Sequence, residues 1–185
     1  MISEEKIVKK TEKFFRENIP KTRENKSYLF HVMGARKYAL LLAEKYNANK
    51  FIIEVSALLH DVGADAGKGH SNESARIAKD FLLEFNISEN ILKKIIKCIK
   101  NHSMGMKTDS LEEQIIQDAD GIIFLEDTFK YFYYKRKNKP SSSSQSKKWT
   151  TNKINGMMKK IKTREGIKIA TKLLPKTLKW VEVQK

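Results

Sequence analysis

The stretch ALLHDVGADAGKGH, from Ala57 to His70, is the most informative segment of the chain. It begins as an apolar run and ends that run with His60 and Asp61 side by side. An imidazole and a carboxylate are costly to bury unless each finds a partner. A glycine-rich loop then leads to another histidine, His70. The stretch therefore predicts that the interior holds a partner for His60 and Asp61, and that the loop curls over a pocket beside them.

Polar side chains also occur at core-facing positions on several other predicted helices. His31 lies in the second predicted helix, His102 ends the fifth, and Asp118 and Asp120 interrupt the apolar face of the sixth. Groups placed this way on separate helices can share one buried location with the His60–Asp61 pair. A divalent cation is the simplest partner for neutral imidazoles and carboxylates together.

The hydrophobic pattern is helical almost throughout. Apolar residues recur at helical spacing, and no segment shows the strict alternation of a half-buried strand. Ser110 and Glu113 form a capping box at the start of a long predicted helix through IIQDADGIIFLEDTFKYFYYK, residues 115–135. The sequence therefore predicts the all-α fold class.

The C-terminal third has a different composition from the rest. The stretch NKPSSSSQSKK is low in complexity and is typical of a mobile loop. We expect a helical domain over residues 1–137, a flexible Ser/Lys-rich loop at 138–150, and basic helices over 151–185 that pack on the body. The second of these C-terminal helices is expected to be kinked or interrupted near Pro175.

The excess of positive charge is confined to the same third. The 185 residues carry 37 Lys and Arg against 22 Asp and Glu, a net charge of +15, and residues 1–129 contribute 20 of each sign. Residues 130–185 therefore hold 37 − 20 = 17 basic and 22 − 20 = 2 acidic residues. Such a tail fits an anionic substrate, nucleic acid, or simple solubility. The aromatic and basic stretch FKYFYYKRK, residues 129–137, suits either stacking on a nucleobase or packing of the tail on the body.

Other compositional features bear on location and assembly. No apolar run is long enough to span a bilayer, so no membrane association is expected. The lone Cys98 excludes an internal disulfide, which fits a reducing compartment, and we expect a cytoplasmic protein. The sequence allows a monomer or a homodimer.

The order of the polar residues resembles the HD-domain metal-dependent phosphohydrolase superfamily. His31, the HD pair at 60–61 and the aspartate in QDADGI follow the family's order H…HD…D, with helical context from about Tyr28 to Tyr131. The resemblance implies an HD-domain helical bundle in which His31, His60, Asp61 and one later aspartate bind a divalent metal ion. Periodicity does not distinguish the two candidate aspartates. The family pattern favours the one in Ala119–Ile122, which is Asp120, and would leave Asp118 beside the ligands or on the helix surface.

Two further histidines extend the implied site. In the binuclear branches of the superfamily such histidines hold a second metal ion, so His70 and His102 would bind either that ion or a substrate phosphate. Asp65 is a candidate for orienting the attacking water, and Lys68 for contacting phosphate. The chain departs from the frequent HDIGK form because Ala64 stands in place of that lysine.

The resemblance implies reaction class better than substrate. The leading hypothesis is a phosphohydrolase that cleaves a nucleotide or related small phosphoester through a metal-activated water, with Asp61 at its centre. Mn, Fe, Co, Ni, Zn and Mg all remain candidate metals. One alternative is a binuclear pyrophosphohydrolase of the dinucleoside-polyphosphate type. Another, from a different class, is a non-catalytic protein that binds RNA through the basic tail and holds a structural metal.

Overall fold

Side-chain caps mark where several helices begin. Ser3, Asn49, Ser88, Ser110 and Thr163 each accept a hydrogen bond from the backbone N–H three residues further on. Such caps satisfy N–H groups that have no partner inside the helix, so they fix the first residue of each helix.

A computed structural model describes residues 2–23, 25–137 and 143–184. Within these ranges the chain is helical and forms no strand, which confirms the all-α prediction. A 3₁₀ turn, Ala64–Gly69, follows the third helix, and a π-helical turn, Phe124–Thr128, follows the sixth. The α-helices are α1 (Glu4–Glu17), α2 (Asn25–Tyr46), α3 (Lys50–Leu59), α4 (His70–Leu82), α5 (Glu89–Asn101), α6 (Leu111–Ile123), α7 (Phe129–Lys137), α8 (Ser143–Lys160) and α9 (Arg164–Glu182).

Helices α2, α3 and α6 form the centre of the body. Helix α3 is apolar on nearly every side, and its residues from Phe51 to Leu59 are buried except Glu54. Helix α2 packs along both α3 and α6, and Gly34 of α2 lies directly against the side chain of Ile123 in α6. This packing carries the C-terminal end of α3, and with it the His60–Asp61 pair, into the interior.

The long helix predicted over residues 115–135 is divided in two. The π-helical turn separates α6 from α7, and within it the Thr128 hydroxyl donates to the carbonyl of Ile123. A π turn widens the helix by one residue and often occurs at functional sites. Here it brings the Thr128 side chain against His31.

The flexible loop predicted at residues 138–150 is wrong over residues 143–150, which form the first turns of α8. Its remaining part, 138–142, lies outside the described residues. Ser146 and Thr150 begin a buried stripe that continues through Ile154 and Met157. Small polar residues suggested a loop, but at helical spacing they allow α8 to pack closely, and the Thr150 hydroxyl donates to the carbonyl of Ser146.

The C-terminal helices contact α6 and the π-helical turn. Helix α9 runs through Pro175 without the expected interruption. Beyond the proline, the Thr177 hydroxyl donates to the carbonyl of Leu125 and so ties the second half of α9 to the body. None of the described helices combines the length and the apolar character needed to cross a membrane.

Candidate metal centre

Five elements bring the predicted ligands together. His31 comes from the middle of α2, His60 and Asp61 follow the end of α3, and Asp120 lies in the last turns of α6. His70 begins α4 after the glycine-rich 3₁₀ turn, and His102 follows the end of α5. All of these residues are buried except His70, which is partly exposed.

The first group of donor atoms surrounds Nε2 of His31. This nitrogen lies 3.1 Å from Nε2 of His60, 3.3 Å from Oδ1 of Asp120 and 3.7 Å from Oδ2 of Asp61. Two imidazole nitrogens and two carboxylates at such separations form a donor set that suits a divalent transition metal. The structure therefore places together the four residues that the resemblance implied as metal ligands.

A second group lies on the other side of Asp61. Its Oδ1 atom lies 3.6 Å from Nε2 of His70 and 3.5 Å from Nε2 of His102. The two imidazole nitrogens are 3.1 Å apart. Asp61 thus presents one oxygen to each pair of histidines, so the site offers a second, smaller donor set.

The outward-facing nitrogen of each imidazole is already occupied. Nδ1 of His60, His70 and His102 points at the backbone carbonyl three residues earlier, at 2.7, 2.9 and 2.6 Å. Nδ1 of His31 lies 3.0 Å from the hydroxyl of Thr128, which donates its own proton elsewhere and so accepts here. These partners place the ring proton on Nδ1 and leave Nε2 with a lone pair, as outer partners of metal-binding histidines commonly do.

The paired Nε2 atoms suit a positive charge between them. Burial lowers the pKa of His60 to about 4 and also lowers the pKa of His70, so both rings are neutral at neutral pH. Where both nitrogens of a pair present a lone pair, they repel at 3.1 Å. A divalent cation removes that repulsion because both nitrogens then bind it. The arrangement therefore fits a bound metal ion.

Cations from distant parts of the chain balance the carboxylates. Burial opposes ionisation of Asp61, but His102, His60 and Arg23 lower its pKa well below the ordinary value, and Arg23 lies 3.1 Å from its Oδ2 atom. Burial likewise opposes ionisation of Asp120, whose pKa is lowered chiefly by an ion pair with the buried Lys160.

Neither Arg23 nor Lys160 was predicted from the sequence to lie at the site. Arg23 precedes the family pattern, and Lys160 follows Asp120 by forty residues. Nothing local in the sequence marks either of them.

The carboxylates of Asp118 and Asp120 contact different parts of the structure. Asp118 is fully buried and faces away from the histidines. Its carboxylate accepts hydrogen bonds from the backbone N–H groups of Lys162 and Thr163, at 2.9 Å each, and from Gln114 and the Thr163 hydroxyl. It therefore connects α6 to the start of α9. The expectation that Asp118 lies beside the ligands or on the helix surface missed this connection.

Asp65 and Lys68 both lie in the exposed 3₁₀ turn. Asp65 borders the cavity, but its carboxylate accepts hydrogen bonds from the N–H groups of Lys21 and Thr22 and from the Thr22 hydroxyl. These bonds hold the segment before Arg23 against the turn. Lys68 is exposed outside the cavity lining. The roles predicted for them, orienting water and contacting phosphate, stay predictions.

A cavity of about 400 Å³ opens beside both donor sets. The aromatic and basic stretch at residues 129–137 was predicted either to stack on a nucleobase or to pack the tail on the body, and its aromatic rings lie in both places. Phe132 lines the cavity, whereas Phe129, Tyr133 and Tyr134 pack edge-on against Trp180 of α9. Helices α7 and α8 supply part of the cavity wall, and the residues that they contribute are Phe132, Lys135, Trp149, Lys153 and Met157.

Comparisons with known proteins concern the family and the fold. A profile of the HD domain matches residues 28–124. YpgQ from Bacillus subtilis shares 18% identity, with a TM-score of 0.78, over 98% of this chain and 95% of that chain. The same protein in complex with ADP has a TM-score of 0.77 at 18% identity, over 98% of this chain and 94% of its own. An HD-superfamily hydrolase from Bacillus thuringiensis shares 22% identity, with a TM-score of 0.76, over 97% and 95% of the two chains. At these identities the likeness is one of fold.

Proposed function

The chain belongs to the HD-domain family, and we propose that it is a metal-dependent phosphohydrolase that cleaves a nucleotide or related small phosphoester. The observation that carries the proposal is the donor set of His31, His60, Asp61 and Asp120 beside an open cavity. A set that served only to stabilise the fold would have no need of the cavity.

The proposed reaction transfers a phosphoryl group to water. When bound, a divalent ion neutralises a phosphate oxygen and lowers the pKa of water toward neutrality. The chain's own residues hold the reacting groups in place. The Nδ1 hydrogen bonds fix the four imidazole planes, and the Arg23–Asp61 and Lys160–Asp120 pairs fix the carboxylates. Water forms the new P–O bond, the bond to the leaving oxygen breaks, and that oxygen gains a proton.

The charge around the cavity supports a substrate that carries phosphate. Arg23, Lys135 and Lys153 line it together with the half-buried aromatic rings of Phe132 and Trp149. Cations beside aromatic rings suit an anion attached to a flat, apolar group. YpgQ, which has the same fold, was crystallised with ADP, so nucleotides are the first compounds to test.

The test is a screen of phosphorylated metabolites with Mn²⁺, Co²⁺ or Ni²⁺ added to the purified protein. We expect turnover of at least one nucleotide or small phosphoester, and loss of that turnover in Asp61→Ala because the variant removes an oxygen from each donor set. Asp80→Ala is the matched control, since Asp80 is exposed and pairs with Arg76. A screen with no turnover above Asp61→Ala would contradict the proposal.

A second candidate is the binuclear pyrophosphohydrolase of the dinucleoside-polyphosphate type. The geometry that favours it is the pair His70 and His102 at Oδ1 of Asp61. This candidate predicts a metal-to-protein ratio near two, falling to one in His70→Ala. The mononuclear candidate predicts a ratio near one in both proteins, with His70 and His102 instead contacting the substrate phosphate. Elemental analysis after dialysis distinguishes them.

The RNA-binding alternative makes a different prediction. Phosphate binding by a basic tail should weaken steeply with added salt, and it should not require the metal ligands. Part of the tail's charge lies at the cavity, in Lys135 and Lys153, which supports a small anion over a polymer. Tight, salt-sensitive binding of single-stranded RNA by Asp61→Ala, without phosphohydrolase activity in the wild type, would favour the RNA-binding candidate.

A further inference from the structure

Helix α8 places three side chains in a row along the cavity wall. Trp149, Lys153 and Met157 are four residues apart, so they share one face of the helix, and all three line the cavity. Four residues of α-helix advance by about 6 Å. Along the row, an aromatic ring, a cation and an apolar side chain follow one another in the direction of Lys160. Lys160 is the last residue of α8 and forms an ion pair with Asp120.

We propose that α8 is the nucleotide-recognition element of the cavity, in which Trp149 stacks on the base and Lys153 binds a phosphate. This inference rests on the proposed function, because it names the residues that recognise the substrate of that same site.

The environment of Lys153 gives stronger support for this role of α8 than that of Trp149. Among the cations that the structure describes in the cavity lining, Arg23 pairs with Asp61 and Lys135 donates to the carbonyl of Thr22. Lys153 has no hydrogen bond or ion pair to any described residue, although it is only partly exposed. A half-buried ammonium group without an anion is unfavourable, so the site is arranged to accept one from outside.

The charges that face Lys153 show where that anion would sit. Burial lowers the pKa of Lys153; Asp120 and Asp61 act against this shift, while Lys160 and Arg23 add to it. Lys153 therefore lies within the field of two metal-ligand candidates and of two other cations. An anion there would extend from the metal centre toward Trp149, which is the direction of a phosphate chain.

Trp149 offers the flat surface at the far end of the row. Its ring is partly exposed, and its centroid lies 6.2 Å from that of Phe132 at an angle of 39°. Guanidinium groups lie over both rings, Arg136 at 5.3 Å from the Trp149 centroid and Arg23 at 5.1 Å from that of Phe132. An aromatic wall interleaved with cations is suited to a base with phosphates attached.

Two probes with the same phosphonate group separate the base from the phosphates. α,β-Methylene-ADP and methylenebisphosphonate share a P–C–P group, and only the first carries a nucleoside. Binding of each to the Mn²⁺-loaded protein is measured by calorimetry. We expect Trp149→Ala to weaken methylene-ADP by about 10- to 100-fold and to leave methylenebisphosphonate within about twofold, since stacking acts on the base alone. Trp149→Phe should restore most of the affinity for methylene-ADP because it keeps a ring.

The lysine should affect both probes. Lys153→Met is expected to weaken each of them by about tenfold or more, because the ammonium binds the group that they share. Lys159→Met is the matched control, since Lys159 is an exposed lysine of the same helix. Unchanged binding in Lys153→Met, or equal loss of both probes in Trp149→Ala, would overturn the role of α8.

The proposed function and this inference fail in different ways. If the wild type turns over a phosphoester but its nucleotide affinity does not depend on Trp149, only the role of α8 is overturned. If neither probe binds the Mn²⁺-loaded wild type and no compound is hydrolysed, both proposals are overturned.

Discussion

Two aspartates separated by a single residue hold different parts of the molecule together. Asp120 faces His31 and Lys160, whereas Asp118 faces the backbone N–H groups of Lys162 and Thr163, just before α9. The two side chains point in nearly opposite directions because successive residues of a helix are about 100° apart. One turn of α6 therefore connects both to the candidate metal centre and to the C-terminal helix.

Replacing each aspartate should separate stability from metal binding. Asp118→Ala leaves buried N–H and hydroxyl donors without an acceptor, so we expect a loss of about 3 kcal/mol in unfolding free energy with metal stoichiometry unchanged. Asp120→Ala should weaken metal binding by at least about tenfold. Chemical denaturation and metal titration measure the two effects. If Asp118→Ala lost the metal and Asp120→Ala kept it, Asp118 rather than Asp120 would be the ligand.

The sequence predicted the position of one of these aspartates but not the role of the other. The family pattern, not periodicity, selected Asp120, and the structure places its Oδ1 atom 3.3 Å from Nε2 of His31. The role of Asp118 could not be predicted, because its partners lie 44 and 45 residues later and the local pattern says nothing about them. Arg23 and Lys160 escaped detection for the same reason, since their contacts to the ligands span 38 and 40 residues.

The Asp65 carboxylate is expected to make the stability of the fold depend on pH. Hydrogen bonds from the Thr22 hydroxyl and backbone lower its pKa below the ordinary 3.8. A carboxyl group whose pKa is lower in the folded state stabilises the fold above pH 3.8, and this contribution is lost as the pH falls through the folded pKa.

We therefore expect Asp65→Ala to be less stable than the wild type at neutral pH, by about 1 kcal/mol, and the difference to shrink in acid. Thermal unfolding across pH measures it. Lys68→Ala, in the same exposed turn, is the control and should follow the wild type. A difference between Asp65→Ala and the wild type that did not change with pH would contradict this account.

At the scale of elements, the contact between α2 and α6 positions the site. A Cβ atom on Gly34 would lie 2.5 Å from Cγ1 of Ile123, so α2 can approach α6 this closely only because it has glycine there. That approach sets the separation of His31 and Asp120, which lie one turn or less from Gly34 and Ile123 in their respective helices.

Gly34→Ala should therefore destabilise the protein by about 1–3 kcal/mol through overpacking, despite the better helix propensity of alanine. Ile123→Ala on its own removes buried methyl groups and should cost about 2–5 kcal/mol. In the double variant the new methyl group occupies part of the space, so the combined loss should be smaller than the sum by at least about 1 kcal/mol. Additive losses in a denaturation cycle would mean that Gly34 and Ile123 do not limit the helix separation.

The first turns of helix α8 could not be predicted from the sequence. The Ser/Lys-rich composition favoured a loop, and intrinsic preference did not indicate a helix. Tertiary packing decides otherwise, because Ser146 and Thr150 are buried against the body. The helices of the HD region were predictable because their apolar faces are strong and several begin at a clear cap, as at Ser88 and Ser110. The π-helical turn had no signal in the hydrophobic pattern.

At the scale of the whole molecule, the site ties together helices from both halves of the chain. Its donors come from α2 to α6, and α8 contributes Lys160 from beyond the HD region. A bound cation would draw together the lone pairs and carboxylate oxygens that these elements supply. Metal binding should therefore stabilise the fold as a unit.

Thermal unfolding tests this coupling. Addition of Mn²⁺ at about 100 times its dissociation constant should stabilise the metal-free wild type by about 2.7 kcal/mol and raise its Tm. His31→Gln should lose most of that increase because it removes the nitrogen shared by the first donor set. Asp80→Ala should keep it. An equal response in all three proteins would place the binding site elsewhere.

The central claim is that a divalent ion binds where these side chains converge. The most direct measurement is anomalous diffraction at the manganese edge from crystals grown with Mn²⁺. The account predicts that the strongest peak lies within bonding distance of His31, His60, Asp61 and Asp120. A map whose peaks lie only on exposed carboxylates, with none at this cluster, would contradict it.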